Sequence, residues 1–259
     1  MKSTQIETRG KCSENNKNKR KFVEFKYGNY SNYYFKRFKS ESIEKDSRIT
    51  LFESHPEFFR HKKILDIGCN SGYITIQIAK KLSPTEILGV DLDGNLIDQA
   101  RRDLEIERKT SKLEITKEVL NRVSFRKANY ILKDESLLEF ENPLYDTILC
   151  LSITKWIHLN HGDNGIKFMF KRIYKQLKTN GALILEAQEF NSYKKRSKLS
   201  PEILENFKNI KLKPNAFEAY LLSDEIGFSE SWFIADKKSL KESGQPKGFH
   251  RAIQVFVKR

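Results

Sequence analysis

The sequence predicts an α/β fold: one seven-stranded, mostly parallel sheet wrapped by helices, with an antiparallel hairpin at one edge. Three observations predict it. Short apolar runs at 63–67 and 86–91 each carry an acid at or near the end, and a stretch of helical period separates them, which is the order of a βαβ unit. A glycine loop, Gly68-Cys69-Asn70-Ser71-Gly72, joins the first run to that helix. Two late apolar runs, 230–235 and 252–257, flank a polar loop at 236–248, the pattern of an edge hairpin.

The remaining elements follow in order. Residues 46–59 read as a helix and turn leading into the first strand. The helix after the glycine loop carries Ile74, Ile78 and Ala79 inward, and 95–106 places Leu96, Ile97, Ala100 and Leu104 on one face. The charged stretch 107–122 reads as an exposed helix. Residues 123–130 alternate at their start and form the third strand; 145–151 is continuously apolar and forms a fourth, buried on both faces. Ile166, Met169, Phe170, Ile173 and Leu177 share one helical face, opposite Lys167, Lys171, Arg172, Lys175 and Lys178. Asn180-Gly181 signals the end of that helix, and 182–187 is the fifth strand. Ser200-Pro201 makes a cap and first turn for a helix over 199–210.

The glycine loop is not the G-x-G-x-x-G fingerprint that seats a pyrophosphate on a helix N-terminus. It is shorter, and Asp66 precedes it, where an acid would repel a pyrophosphate and suit the cationic amino acid part of S-adenosylmethionine. Asp91, ending the second strand, stands where a carboxylate accepts hydrogen bonds from both ribose hydroxyls. An ordinary α/β loop with two glycines is the alternative; the two acids at strand ends favour a Rossmann-like class I methyltransferase.

Composition narrows the partners. Lys plus Arg number 48 against 34 Asp plus Glu, a net charge of +14 in 259 residues. With 18 Phe, 10 Tyr and 2 Trp, the balance suits a single-stranded nucleic acid, whose phosphates need cations and whose bases stack. Three cysteines (Cys12, Cys69 and Cys150) give an odd count without metal-ligand spacing, so neither a disulfide framework nor a metal site is expected. No apolar run reaches membrane-spanning length, and no membrane partner is expected. Residues 1–21 read as a disordered basic tail, whose Lys17–Lys21 run fits either a nuclear-import patch or a solvated tail. Residues 22–259 then make a single domain, in which the aromatic and basic stretch within 22–60 serves as an N-terminal lid.

Several strings together resemble the methylphosphate capping enzymes, the bicoid-interacting-protein type of RNA 5′-phosphate methyltransferase. They are Tyr27-Gly28-Asn29-Tyr30, Leu65-Asp66-Ile67-Gly68-Cys69-Asn70, Asn129-Tyr130, and Leu151-Ser152-Ile153-Thr154-Lys155-Trp156-Ile157-His158-Leu159-Asn160, followed by Leu185-Glu186-Ala187-Gln188 and Lys247-Gly248-Phe249-His250-Arg251. The resemblance covers nearly the whole domain, and the string ending in Asn160 is far more specific than the glycine loop. It departs from the family pattern at 40–45 and at Glu189-Phe190, where a Pro-Trp pair is usual.

What the resemblance implies is methyl transfer from S-adenosylmethionine to a 5′-terminal, gamma, phosphate of a small noncoding RNA, in the nucleus and also the cytoplasm. Gly68, Cys69 and Asn70 would line the amino acid part of the cofactor, Asp91 would hold its ribose, and Leu92 would lie against adenine. Asn129 and Tyr130 would frame the adenine edge, Leu151 would pack near the sulfonium, and Tyr34 and Arg48 would close over the cofactor, Arg48 pairing with its carboxylate. Tyr33, Arg37 and Lys155 would grip the RNA end. Two other readings compete: a 5′-monophosphate RNA methyltransferase, and a non-catalytic RNA-binding subunit that stabilises a ribonucleoprotein beside another RNA-binding protein. A small-molecule or protein methyltransferase fits the basic, aromatic N-terminal stretch less well.

Overall fold

Seven strands among the described residues lie in one sheet: β1 (Lys63–Ile67), β2 (Glu86–Asp91), β3 (Val123–Lys127), β4 (Tyr145–Leu151), β5 (Leu177–Glu186), β6 (Glu230–Ala235) and β7 (Ile253–Val257). The structure, a computed structural model, describes residues 25–29, 46–236 and 251–259. The strand order is β3-β2-β1-β4-β5-β7-β6. The first five strands run parallel, and β7 pairs antiparallel with both β5 and β6. The chain moves outward from β1 to β3, then returns to lay β4 on the other side of β1. That reversal opens a crevice above the carboxyl ends of β1 and β4, the place where open α/β sheets bind ligands.

Helices cover both faces. They are α1 (Ser47–Glu53), α2 (Tyr73–Leu82), α3 (Gly94–Thr110), α4 (Glu114–Asn121), α5 (Thr154–Gln176), α6 (Pro201–Asn209) and α7 (Phe217–Leu221). Side chains alternate across the strands, so Ile64, Leu149 and Leu151 enter one apolar layer with Ile74, Ile78 and Ile97. Leu65, Ile67, Ile148 and Cys150 enter the other with Ile166, Phe170 and Phe217. Side-chain caps start three helices: Asp46 accepts from Arg48 N ahead of α1, Asp93 accepts from Asn95 N ahead of α3, and Ser200 accepts from Ile203 N ahead of α6.

The structure revises several boundaries. The stretch 107–122 is two elements, since α3 runs on to Thr110 and α4 buries Val119 and Leu120 against the core. Strand β3 stops at Lys127, opposite Asp91 at the end of its partner β2, and Ala128 N makes a further bond to that strand, to Asp91 O at 2.9 Å. Leu177 opens β5 opposite Tyr145 and does not close α5. Asn180-Gly181 consequently sits inside β5 at a register irregularity, with Asn180 at φ 62° and its N–H on Lys258 O at 2.7 Å. Helix α5 begins at Thr154, earlier than its apolar stripe signals, and is interrupted at Gly162 (φ 62°, ψ −163°). The five-residue α7 has no apolar period long enough to announce it. The expected tail at 1–21 and, of the lid stretch, residues 22–24 and 30–45 lie outside the described residues.

Phe170 is wholly buried and meets Phe217 edge-on at 5.2 Å between ring centres, joining α5 to α7 beneath the crevice. Phe170→Ala should cost about 3–5 kcal/mol of stability, read as a lowered midpoint in a urea unfolding titration with an unchanged slope.

Candidate active site

The crevice is a cavity of about 1060 Å³ whose walls differ in charge. Its acidic wall is built by β1, β2 and the loop between β1 and α2. Gly68 N and Cys69 N both donate to Val90 O, at 2.8 and 3.0 Å, which folds the loop back over β2. The turn needs left-handed backbone at Gly68 (φ 73°), Asn70 (φ 54°) and Gly72 (φ 75°). A Cβ on Gly68 would stand 2.3 Å from Ile153 Cγ2, and one on Gly72 would enter the Phe125 ring, so these two positions exclude other residues by space as well as by φ.

That loop aims the carboxylates. Asp91 accepts from Asn70 N through Oδ2 and from Asp93 N through Oδ1, both at 2.9 Å, and burial pushes its carboxyl above the ordinary range. Two fixed N–H donors orient the group and leave its other lone pairs for a pair of vicinal hydroxyls. Asp66 is 3% exposed and accepts from Thr75 Oγ1 at 2.6 Å. Burial lifts it to about 6, against the pull of the Thr75 hydrogen bond and of Arg48, so at neutral pH it is mainly ionised and suited to an ammonium. Leu92 (38% exposed), Asn129, Tyr130 and Leu151 line the same space. Asn129 Oδ1 accepts from Ile131 N in a local turn, while the Tyr130 hydroxyl is committed to Gln176 Oε1 at 2.8 Å and Arg172 lies over its ring. The donor set thus fits S-adenosylmethionine: a ribose carboxylate, a buried acid for the cationic end, and glycines that admit the ligand to the backbone.

Opposite stands a basic wall. Lys155, in the first turn of α5, is anchored at its backbone, where Gln188 Oε1 accepts from Lys155 N (3.1 Å) and from Thr154 Oγ1 (2.9 Å). Gln188 Nε2 in turn donates to Ser152 O. The ammonium lies 5.2 Å over the Trp156 ring, and burial, then the charges of Arg251 and Arg196, lower it to about 8. Arg196 and Arg251 line this wall too. Over the top, Asn29 Nδ2 donates to Asp93 Oδ2 at 2.6 Å, and Asn160 Nδ2 donates to Lys26 O at 3.0 Å. Residues 25–29 thereby bridge the start of α3 to α5. A Cβ on Gly28 (φ 74°) would lie 2.2 Å from the Trp156 ring, which fixes how closely the two approach.

Most of the expected site residues therefore converge on one cavity: Arg48, Asp66, Gly68, Cys69, Asn70, Asp91, Leu92, Asn129, Tyr130, Leu151 and Lys155. Tyr33, Tyr34 and Arg37 lie outside the described residues. Arg48 reaches the cavity with its guanidinium already engaged: Nε and Nη2 donate to Asp46 at 3.0 and 2.7 Å, and Nη1 donates to Glu186 at 2.9 Å. Sequence reasoning missed Arg196, Arg251, Ser152, Glu186 and Gln188 as site residues. Four of them stand inside the family-like strings, a signal that carried no role; Arg196 follows Lys194-Lys195 and reads as part of a solvated run. Among the described residues no cluster of His, Cys, Asp and Glu is arranged to hold a metal ion.

Comparison with known proteins follows the same lines. The family model described as Bicoid-interacting protein 3 (Bin3) matches residues 145–258, and a methyltransferase-domain model matches residues 65–183. The U6 snRNA methylphosphate capping enzyme Amus of Drosophila melanogaster is 43% identical over 238 residues, spanning 92% of this chain and 76% of that protein. The chain belongs to the methylphosphate capping enzyme family. The 7SK snRNA methylphosphate capping enzyme of Homo sapiens is 35% identical over 90% of this chain, which spans 39% of the human protein. Among solved structures, the N-methyltransferase NodS from Bradyrhizobium japonicum with S-adenosyl-L-homocysteine superposes at a TM-score of 0.54 and 12% identity, covering 93% of this chain and 98% of that one. That likeness is one of fold, the class I methyltransferase fold. In this member of the capping family, the acidic wall lies on the β1–β2 side of the crevice and the basic wall on the β4–β5 side.

Asp91→Ala should weaken S-adenosylhomocysteine binding by about tenfold or more, the loss of charge-assisted hydrogen bonds to two hydroxyls. Calorimetric titration of the two proteins checks this, and equal affinities would remove Asp91 from the ribose.

Proposed function

We propose that the protein methylates a phosphate oxygen at the 5′ end of a small noncoding RNA, with S-adenosylmethionine as donor. The observation that carries this reading is the single cavity bounded on one side by Asp66 and Asp91 and on the other by Lys155, Arg196 and Arg251. The acids suit a nucleoside bearing a cationic chain, and the bases suit a phosphate. The relatives named above are capping enzymes of the U6 and 7SK small nuclear RNAs, which supports an RNA end as acceptor; the gamma phosphate as the site follows from the family resemblance. The small nuclear class of those RNAs supports a nuclear place of action; continued association with the RNA in a ribonucleoprotein, beside another RNA-binding protein, is proposed with it.

The chemistry asks little of a general base. A terminal phosphate has a second pKa of about 6 and is already anionic at neutral pH. S-adenosylmethionine supplies a methyl group on a sulfonium, which an anionic oxygen accepts without any proton transfer. The chain's residues then have three tasks. Asp66 and Asp91 fix the donor's orientation, Lys155 and its neighbouring guanidinium groups hold the phosphate in line with it, and Trp156 and the 25–29 segment exclude water. Because attacking oxygen and sulfonium carry opposite charges that cancel on transfer, a cavity from which water is excluded favours the reaction over the separately solvated reactants. Tyr33 and Arg37 join the phosphate grip, and Tyr34 and Arg48 the cofactor grip, on the family resemblance.

Two measurements test the reading. In a labelled-methyl assay with RNAs of one sequence, a 5′-triphosphate end should accept methyl and a 5′-hydroxyl end should not. Acceptance confined to a 5′-monophosphate end would move the reading to the monophosphate class, and a protein that binds RNA without transferring methyl would move it to an assembly role. Lys155→Ala should lower transfer by about a hundredfold, the loss of a buried charge-assisted contact, with S-adenosylhomocysteine affinity changed far less. The second measurement is the pH profile. Lys155 in the free protein is charged below about 8 and neutral above it. Affinity for the phosphate end should therefore fall as pH rises through that value, whereas Lys155→Arg, whose guanidinium stays charged, should flatten the profile.

A further inference from the structure

Arg251 and Arg48 both approach the buried carboxylate of Glu186, and they are held differently. Arg48 Nη1 makes a direct ion pair with Glu186 Oε2 at 2.9 Å. Arg251 Nη1 stops 3.9 Å short of Oε1 and donates to Ser152 Oγ at 2.6 Å, while that same hydroxyl donates to Glu186 Oε2 at 2.8 Å. Ser152 is thus a spacer one hydroxyl thick. It is locked there by its own backbone, which has φ 63°, donates from N to Glu186 O at 2.9 Å, and accepts at O from Gln188. Glu186 is 1% exposed, so the field of its charge on Arg251 is little screened, and without the spacer an arginine fork would close onto the carboxylate bidentately. Held in this way, Arg251 lines the cavity wall that also carries Lys155 and Arg196.

We propose that Arg251 contacts the terminal phosphate of the RNA and that Ser152 is the positioning residue that keeps its guanidinium from collapsing onto Glu186. The proposal rests on the reading of the cavity as a 5′-phosphate methyl-transfer site and adds to it a specificity-determining arginine with its orienting pair. It makes an unusual demand: removing a neutral hydroxyl should weaken recognition of an anion, and removing a nearby negative charge should bring recognition back.

The test is the ratio of affinities for one short single-stranded RNA carrying a 5′-triphosphate or a 5′-hydroxyl, measured on the full chain saturated with S-adenosylhomocysteine. Arg251→Gln should lower that ratio by about tenfold or more, the worth of a charge-assisted contact. Ser152→Ala and Ser152→Gly should each lower it by about fivefold, the glycine variant keeping the left-handed backbone free of strain. Adding Glu186→Gln to Ser152→Ala should restore most of the loss. A wild-type ratio retained in Arg251→Gln overturns the phosphate contact; if that variant does not fold, Arg251→Lys, which keeps the charge without the fork, should show an intermediate loss and decides in its place. A ratio unmoved in both Ser152 variants, or unrestored in the double variant, overturns the positioning role. A wild-type protein that binds both ends equally sinks the methyl-transfer reading itself, whereas discrimination in the wild type with none lost in the variants sinks this inference alone.

Discussion

A carboxylate taken out of water must be met by positive charge or hydrogen bonds, or it will not stay ionised. Glu186, at the end of β5, meets that demand with groups drawn from distant parts of the chain: Arg48 from α1, Ser152 from the turn after β4, and Arg251 from just before β7. Asp46 completes the set on the far side of Arg48. The segment preceding the first strand and the one preceding the last are tied to the same carboxylate, the first directly and the second through the Ser152 hydroxyl. The floor of the active site is therefore an electrostatic joint between the segment before β1 and the segment before β7, and it sets the place of Arg251 on the cavity's basic wall.

The sheet supplies the other half of the design. Because the strand order reverses between β1 and β4, the loop after β1 and the turn after β4 rise side by side, and Gly68 and Ile153 touch across the gap. Charges of opposite sign can then occupy neighbouring walls without neutralising each other, each held by its own backbone: Asp91 by the N–H groups of Asn70 and Asp93, Lys155 by the Gln188 amide under the first turn of α5. Rigid strands fix the spacing, as in-line displacement requires.

How much of this was legible in the sequence follows from the range of the forces involved. The bounds of β1, β2 and β4 could be read directly, because burial leaves near-continuous apolar runs, and those of the edge strand β6 because its short aromatic and apolar run is flanked by polar residues. Asp66 and Asp91 could be read as site residues because their position at strand ends is local information. Asn180-Gly181 misled, since a local stop signal was overruled by the pairing of Leu177 with Tyr145 across the sheet. The Ser152–Glu186–Arg251 cluster was out of reach for the same reason: its members lie 34 and 65 or more positions apart, and only the fold makes them neighbours. Lys155 was found through family resemblance, not through any period or spacing. Arg196, in a run of basic residues, carries no mark that separates it from a solvated charge.

Cys69 gives the cofactor loop one further property. Its thiol lines the cavity, is 2% exposed, and is pushed well above the ordinary thiol range, first by burial and then by the charges of Asp66 and Asp91. A thiolate is a far better nucleophile than a thiol and would compete for any methyl donor beside it. Burial first, and then the carboxylates that suit the donor, thus favour the thiol form of the one sulfur in the loop, the form less reactive toward an alkylating group.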